Sequence, residues 1–314
     1  MTNREGSIIV TGASGWMGQT ILENLFEVLS ASTFYERVIA FASKDIDAKI
    51  GRTETIKLHS LSKLPKLAEE SKPDLIIHAA FLTPDYAKAH GRAKFIQINR
   101  EITELVCKAA KNSPNSRLVE ISSGAAETSS ETIDNPNKIN LSGQQLYGFL
   151  KKEEEEKLSL LAPTLILRIF ALSGKHIKDP KKYALGDFLL AHTKGQPIVI
   201  QSKTPVIRGY GHAGDISKLA IHWGLSEDQC PAKPVNTVNT TIELRDLAAI
   251  IAAIEPRVKV ISSEENPRKT SIYTADSTRY LNLLSTYHIP PTDLESQIDD
   301  TIKGIKLLLR EKPL

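Results

Sequence analysis

The chain has 314 residues, 41% of them hydrophobic and 25% charged, with a formal net charge of +3 at pH 7. That length suits one large domain or a main domain with a smaller lobe, and so small a charge, with no basic block, offers no footprint for nucleic acid. The two cysteines, Cys107 and Cys230, make neither a disulfide framework nor a Cys-x-x-Cys zinc site, and the eight histidines have no metal-ligand spacing, so no metal is expected.

The opening segment, Met1 to Gly6, lacks the apolar core of a signal peptide. No stretch of about 18 apolar residues exists to span a membrane. The expected location is cytoplasmic. Ser7 to Thr11 reads as a strand rich in β-branched residues, and Trp16 to Leu29 has apolar residues at helical spacing. Arg37 to Ala42 is strand-like, Thr55 to Leu58 a short strand, and Leu61 to Glu70 a helix. Asp74 to His78 does not alternate and is expected to be a strand buried on both faces. A long helical region covers Pro84 to Lys111, interrupted near Gly91. Arg117 to Ser122 reads as strand, Gln145 to Leu160 as helix and Thr164 to Phe170 as strand. The charge run Lys151 to Lys157 is read as an exposed helix face. Alternating strands and helices predict an α/β fold with a doubly wound parallel sheet and right-handed crossovers. Beyond Gly174 the pattern loosens. Helices are expected near Leu185 to Thr193, Asp215 to Trp223, Ile242 to Ile254 and Thr292 to Arg310, with strand-like runs at Ile198 to Ile200 and Val258 to Ile261.

Thr11-Gly12-Ala13-Ser14-Gly15-Trp16-Met17-Gly18 lies between the first strand and the first helix. Glycines at these places serve a tight turn, close backbone approach to a pyrophosphate, and close helix–strand packing. The following helix start offers N–H groups and a positive dipole end to phosphates. Farther along, Tyr147 and Lys151 stand at i and i+4 of a predicted helix, on one face. A phenol titrates near ~10. A neighbouring ammonium lowers that value, making a general acid/base suited to neutral pH. Ile121-Ser122-Ser123-Gly124 ends a buried strand upstream of Tyr147.

The Gly-x-x-Gly-x-x-Gly loop, the serine pair and the Tyr-x-x-x-Lys spacing together resemble the extended short-chain dehydrogenase/reductase family, of the NAD-dependent epimerase/dehydratase, nucleotide-sugar type. The resemblance runs along most of the chain. It implies a Rossmann-type sheet over 1–174 and a small substrate-binding lobe over 175–314, interleaved with late strands. It implies that Ser123 holds the substrate oxygen, that Tyr147 gives or takes the proton, and that Lys151 tunes Tyr147 and holds the cofactor ribose. The loop residues Gly12, Ser14, Gly15, Trp16, Met17 and Gly18 would then contact the dinucleotide. Asp74 to Ala80 resembles the family's fourth-strand segment, where Ala79 and Ala80 let the backbone approach the cofactor; His78 reads as a structural strand-end histidine. Asn99 matches a family asparagine that braces the strand and site, and Leu167 to Phe170 the strand ending near the nicotinamide. Arg208 to Asp215 resembles the segment whose arginine binds the substrate diphosphate in nucleotide-sugar enzymes. A structural Arg208–Asp215 pairing is the plainer alternative.

Several positions depart from the family pattern. The acid expected after the second strand in NAD-preferring members is replaced by Ser43 and Lys44, which favours NADP; nearby Asp45 keeps NAD open. Ser60, followed by Leu61, stands where the family often places an adenine-side Asp. Phe170-Ala171 replaces the usual Phe-Asn, and Gly124-Ala125-Ala126 lack the acids of a 4,6-dehydratase. The expected reaction is reversible hydride transfer on a secondary alcohol or ketone of a nucleotide-activated sugar, by a 4-ketoreductase or epimerase. The alternatives are reduction of a non-nucleotide carbonyl and a non-catalytic NADP sensor or scaffold. A homodimer is expected through helices near Phe95 to Lys111 and Gln145 to Leu160.

Overall fold

A computed structural model describes residues 4–51, 54–127, 141–254, 257–262 and 269–311. Met1 to Asn3, part of the opening segment read above, lie outside the described residues. The chain divides into two units, Met1–Ile169 with Ser217–Val235, and Phe170–Ile216 with Asn236–Leu314.

In the first unit the elements run β1 (Ile8–Thr11), α1 (Trp16–Val28), α2 (Ala31–Arg37), β2 (Val38–Ala42), β3 (Ile46–Ile50), β4 (Glu54–Ser60), α3 (Leu64–Ser71), β5 (Leu75–His78), α4 (Pro84–His90), α5 (Arg92–Asn112), β6 (Arg117–Ser123), α6 (Gly143–Ser159) and β7 (Thr164–Ile169). The apolar, unbroken runs of β1, β5 and β6 are buried throughout, as a parallel sheet covered on both faces requires. Gly91, at φ 89, breaks the long helical region into α4 and α5. Two elements were not anticipated. Helix α2 is short and is capped by Ser30, whose hydroxyl accepts from Thr33 N at 3.2 Å. Strand β3 is an edge strand, antiparallel to β4; its Ile46-Asp47-Ala48-Lys49-Ile50 alternation is the period-two pattern of a half-buried strand, cut to five residues by Gly51.

The remaining elements are β8 (Ala171–Ser173), α7 (Ala184–Thr193), β9 (Ile198–Ile200), β10 (Val206–His212), α8 (Ala213–Gly224), β11 (Val235–Asn236), β12 (Thr240–Glu243), α9 (Leu244–Ile254), β13 (Val260–Ser262), β14 (Ser271–Tyr273), α10 (Thr278–Thr286) and α11 (Leu294–Glu311). The main sheet has the order β11-β7-β6-β5-β1-β2-β4-β3. Its strand sequence reverses between β1 and β5, which is where the open crevice of a doubly wound sheet lies, beyond the carboxyl ends of the strands.

In the second unit β10 pairs with β12, β14 and β8, while β9 pairs with β13. Strand β10 escaped the sequence reading because Gly209 and Gly211 weaken a strand pattern. Both are needed: a Cβ on Gly209 would overlap the Thr274 side chain, and one on Gly211 the Thr237 carbonyl. The helix expected from Ile242 begins at Leu244, because Thr240–Glu243 pairs with β10 as β12. Helix α10 was likewise not anticipated.

Candidate active site

The glycine loop follows β1 at the reversal point. Gly12 has φ 67, a left-handed conformation open to glycine. A Cβ there would overlap the Ala79 carbonyl, and a Cβ on Gly18 would overlap the Gly12 carbonyl. A Cβ on Gly15 would stand 3.1 Å from the Gly12 oxygen. The loop is pinned by Gly15 N donating to Gly12 O at 2.8 Å and Ala13 N to Phe41 O at 2.9 Å. Met17 and Gly18 are buried, while Ser14, Gly15 and Trp16 are partly exposed. No side chain caps α1 at Gly15, and its first turn holds no acid, so the positive end of the helix is uncompensated there. A glycine-lined loop at such a helix start fits a dinucleotide pyrophosphate.

Ser43 and Lys44 follow β2 as exposed residues. Asp45 turns back onto the next strand end. It accepts from Lys63 Nζ at 2.8 Å and Ser60 N at 3.3 Å, and the lysine bond foremost holds its carboxyl below the usual range. Ser60 Oγ lies 2.9 Å from Ser62 Oγ, and Leu61 is buried.

Ser123 ends β6 and accepts from Ala125 N at 3.2 Å. Helix α6 comes down beside it, started by a capping box in which Ser142 and Gln145 bond each other's backbone. A Cβ on Gly148 would overlap the Ala125 carbonyl, so a glycine beside Tyr147 lets the helix seat against this turn. Tyr147 shares a hydrogen bond with Ser123. Lys151 Nζ donates to Ile121 O at 3.0 Å and Glu154 Oε2 at 2.7 Å. It also lies 4.1 Å from the centre of the Phe81 ring.

The electrostatics correct one expectation. Burial raises the Tyr147 phenol above its ordinary value; the Lys151 charge and the Ser123 hydrogen bond lower it without winning, and Glu154 and Glu120 add to the rise. The ammonium of Lys151 is held protonated. Burial opposes its charge, but Glu154, then Glu120 and Tyr147, outweigh it and raise its pKa.

A second correction concerns the run Lys151 to Lys157, which is not an exposed face. Lys151, Glu154 and Glu155 are 2%, 1% and 4% exposed. Residues at i, i+3, i+4 and i+7 share a helix face, and Leu158 completes this inward one. Glu155 takes Arg168 through two bonds, 2.9 and 2.6 Å, and accepts from Ser122. Glu154, Glu120 and Thr103 went unnoticed in the sequence. For Glu154 the signal available was this period, with leucines at 146 and 150 already marking the buried side of α6.

Ala79 and Ala80 sit at the end of β5, partly exposed, with Ala79 against the glycine loop. Asn99 is buried on α5; its Oδ1 accepts from Leu82 N at 2.8 Å, and its Nδ2 has no hydrogen-bond partner among the described residues. In the second unit Arg208 is half-buried and donates to Ile207 O at 2.8 Å, Ser271 O at 3.1 Å and Ser271 Oγ at 3.2 Å. The alternative Arg208–Asp215 pairing is absent. Asp215 bonds His212, Asn239 and Thr292 instead.

The profile described as the NAD dependent epimerase/dehydratase family matches residues 8–232. No curated protein matches the sequence. Among solved structures, UDP-N-acetylglucosamine 4-epimerase from Methanobrevibacter ruminantium M1, in complex with UDP-N-acetylmuramic acid, aligns at 18% identity with a TM-score of 0.73, covering 98% of this chain and 100% of that one. UDP-glucose 4-epimerase from Thermotoga maritima, with UDP-glucose, aligns at 16% identity and TM-score 0.71, covering 96% and 99%. UDP-glucuronic acid 4-epimerase from Bacillus cereus, with UDP-glucuronic acid and NAD, aligns at 16% and 0.67, again covering 96% and 99%.

Proposed function

Because this chain belongs to the NAD-dependent epimerase/dehydratase family, we propose that it interconverts a secondary alcohol and a ketone on a nucleotide-activated sugar, as an epimerase or 4-ketoreductase. The observation that carries this reading is the meeting of Tyr147 with Ser123 at the end of β6, one helix turn from Lys151, together with a loop after β1 whose three glycines leave no room for a Cβ at Gly12 or Gly18. Bound at that loop, a nicotinamide dinucleotide supplies or accepts the hydride. Gly12, Ser14, Gly15, Trp16, Met17 and Gly18 hold its pyrophosphate, and Ala79 and Ala80 leave it room. Lys151 holds its ribose. Ser123 orients the reacting oxygen, and Tyr147 gives or removes the proton there.

For the cofactor we favour NADP within a family named for NAD. Exposed Ser43 and Lys44 support it, as does the diversion of Asp45 to Lys63. Ser60 and Leu61 would border the adenine. The nucleotide-sugar assignment draws on the UDP-sugar complexes of the structural neighbours and on Arg208. Burial pulls the Arg208 guanidinium below its ordinary pKa, and no carboxylate pairs with it among the described residues, so it suits a diphosphate. The second unit would be the substrate lobe. We also propose a cytoplasmic homodimer through the outer faces of α5 and α6. Among the described residues no helix is long and apolar enough to cross a membrane.

The test is turnover on a panel of UDP- and dTDP-linked sugars and keto-sugars, with NAD(H) and NADP(H) added, together with analysis of any dinucleotide retained on purification. Turnover lost in Tyr147→Phe is the expected result. Dinucleotide binding without turnover on any substrate, unaffected by that substitution, would overturn the reading in favour of a sensor.

A further inference from the structure

A line of buried side chains runs from the glycine loop to Lys151. Thr11 Oγ1, just before Gly12, lies 2.7 Å from His78 Nδ1 and accepts from Ala79 N at 3.3 Å. His78 Nε2 lies 3.0 Å from Glu154 Oε1, which also accepts from Thr103 Oγ1 at 2.9 Å. The other oxygen of Glu154 takes Lys151 Nζ at 2.7 Å. Thr11 and His78 are fully buried and Thr103 nearly so. A dry ion pair survives when its remaining donors and acceptors are satisfied, and both oxygens of Glu154 are.

An ammonium has three donors. Ile121 O and Glu154 Oε2 occupy two of them, and the Phe81 ring lies against the group. Its direction is therefore set by the protein before a ligand arrives, which is what pre-organisation of a charged contact requires. A further carboxyl faces the same ammonium. Glu120 of β6 is fully buried, with Oε1 4.0 Å from Lys151 Nζ. One cation in a dry pocket balances one carboxylate. Accordingly Lys151 foremost holds Glu154 down at about 2 against its burial, while burial and the Glu154 charge push Glu120 well above the carboxylate range. The other groups facing this pocket are Tyr147 on α6, His78 on β5, and Glu155, which is spent on Arg168 and Ser122.

We propose that Glu154 is the positioning residue of the Lys151 ammonium, that the Thr11–His78–Glu154 line couples that ammonium to the glycine loop, and that Glu120 is its reserve counter-ion. The inference rests on the reading of Lys151 as the ribose-holding lysine. It predicts a graded failure. Glu154→Gln keeps the shape and a hydrogen-bond acceptor but removes the charge; Glu120 then ionises as a poorer partner, at a longer distance. The double variant Glu154→Gln/Glu120→Gln leaves a buried ammonium without a carboxylate, and burial lowers its pKa.

The experiment is calorimetric binding of NAD+ and NADP+ to the full chain from about pH 7 to about pH 9. Wild-type affinity should vary little across this range. Affinity in Glu154→Gln should weaken a few-fold as pH rises, and in the double variant by about tenfold for each pH unit above the lowered lysine pKa. Glu154→Asp, which keeps the charge, should bind more weakly but retain the wild-type pH dependence. A purely structural role would weaken all variants without changing that dependence. Should the double variant not fold, Glu154→Gln against Glu154→Asp decides the matter. Identical pH dependence in all of them overturns the inference alone. Failure of the wild type to bind either dinucleotide overturns the functional reading on which it rests.

Discussion

Tyr147 is held between opposing influences. Burial raises its pKa, Lys151 and Ser123 pull it down, and Glu154 and Glu120 return part of that gain. A phenol with a raised pKa is well placed to keep a proton until an alkoxide forms beside it. Tyr147→Phe should lower kcat by about 10²–10⁴-fold while dinucleotide affinity by calorimetry changes by less than about threefold; unchanged turnover would sink the assignment. The glycine loop is equally exacting. Gly18→Ala would push a methyl group into the Gly12 carbonyl. It should weaken dinucleotide binding by about tenfold or more, a loss of about 1.4 kcal/mol, and wild-type affinity in that variant would mean the loop is not the phosphate cradle. At the neighbouring strand end, Ser43→Asp should shift preference from NADP toward NAD, because a carboxylate accepts from ribose hydroxyls and repels a 2′-phosphate. A ratio of the two affinities that does not move would show that this residue does not border the ribose.

At the scale of elements, α6 divides its work by face. Tyr147 meets the β6 end, Lys151, Glu154 and Glu155 point into the sheet, and Glu153 with Lys157 reaches outward to Arg100 and Glu104. In the second unit a comparable device joins the end of β10, the start of α8 and α11. His212 lies 3.2 Å from both Asp215 and Asp300, with Thr292 Oγ1 at 3.1 Å. Burial opposes the imidazolium, but hydrogen bonds to Asp215 and Asp300 and their charges raise His212 to about 9. Since this lies above the unfolded value, the stabilisation is complete below about pH 6.5 and is lost as pH rises through about 9. It is on the order of 3 kcal/mol. The aspartates are lowered, so their share is lost instead as pH falls below the unfolded carboxylate range. Thermal melts of wild type and His212→Asn should therefore differ most near neutrality and converge toward about pH 10. A constant difference in Tm across that range would exclude a charged His212 as the source.

At the scale of the whole molecule, the proposed homodimer would use the outer faces of α5 and α6. The apolar residues of α5, such as Phe95, Ile96, Val106 and Cys107, are buried within the first unit, and its outer side presents Gln97, Arg100, Glu101, Glu104 and Lys108. A homodimer through this surface would be held by charge and should weaken in about 1 M salt, where screening acts within about 3 Å. Sedimentation at low and high salt tests it. A species unaffected by salt would exclude this face as the contact.

The parallel strands, the glycine loop and the shared face of Tyr147 and Lys151 were legible in the sequence, because each rests on a local pattern: unbroken apolar runs, glycines at a strand–helix junction, and an i, i+4 pair. Gly91 likewise announced the break between α4 and α5. The rest depends on contacts between elements distant in the chain. The glycines of β10 read as a break until the Thr274 and Thr237 contacts that exclude a Cβ are seen. The charges of α6 read as solvent-facing until His78, Thr103 and Arg168 arrive from β5, α5 and β7 to satisfy them. The direction of the Tyr147 shift belongs to the same class. Desolvation depends on everything that surrounds a group, whereas helical spacing records only what lies one turn away.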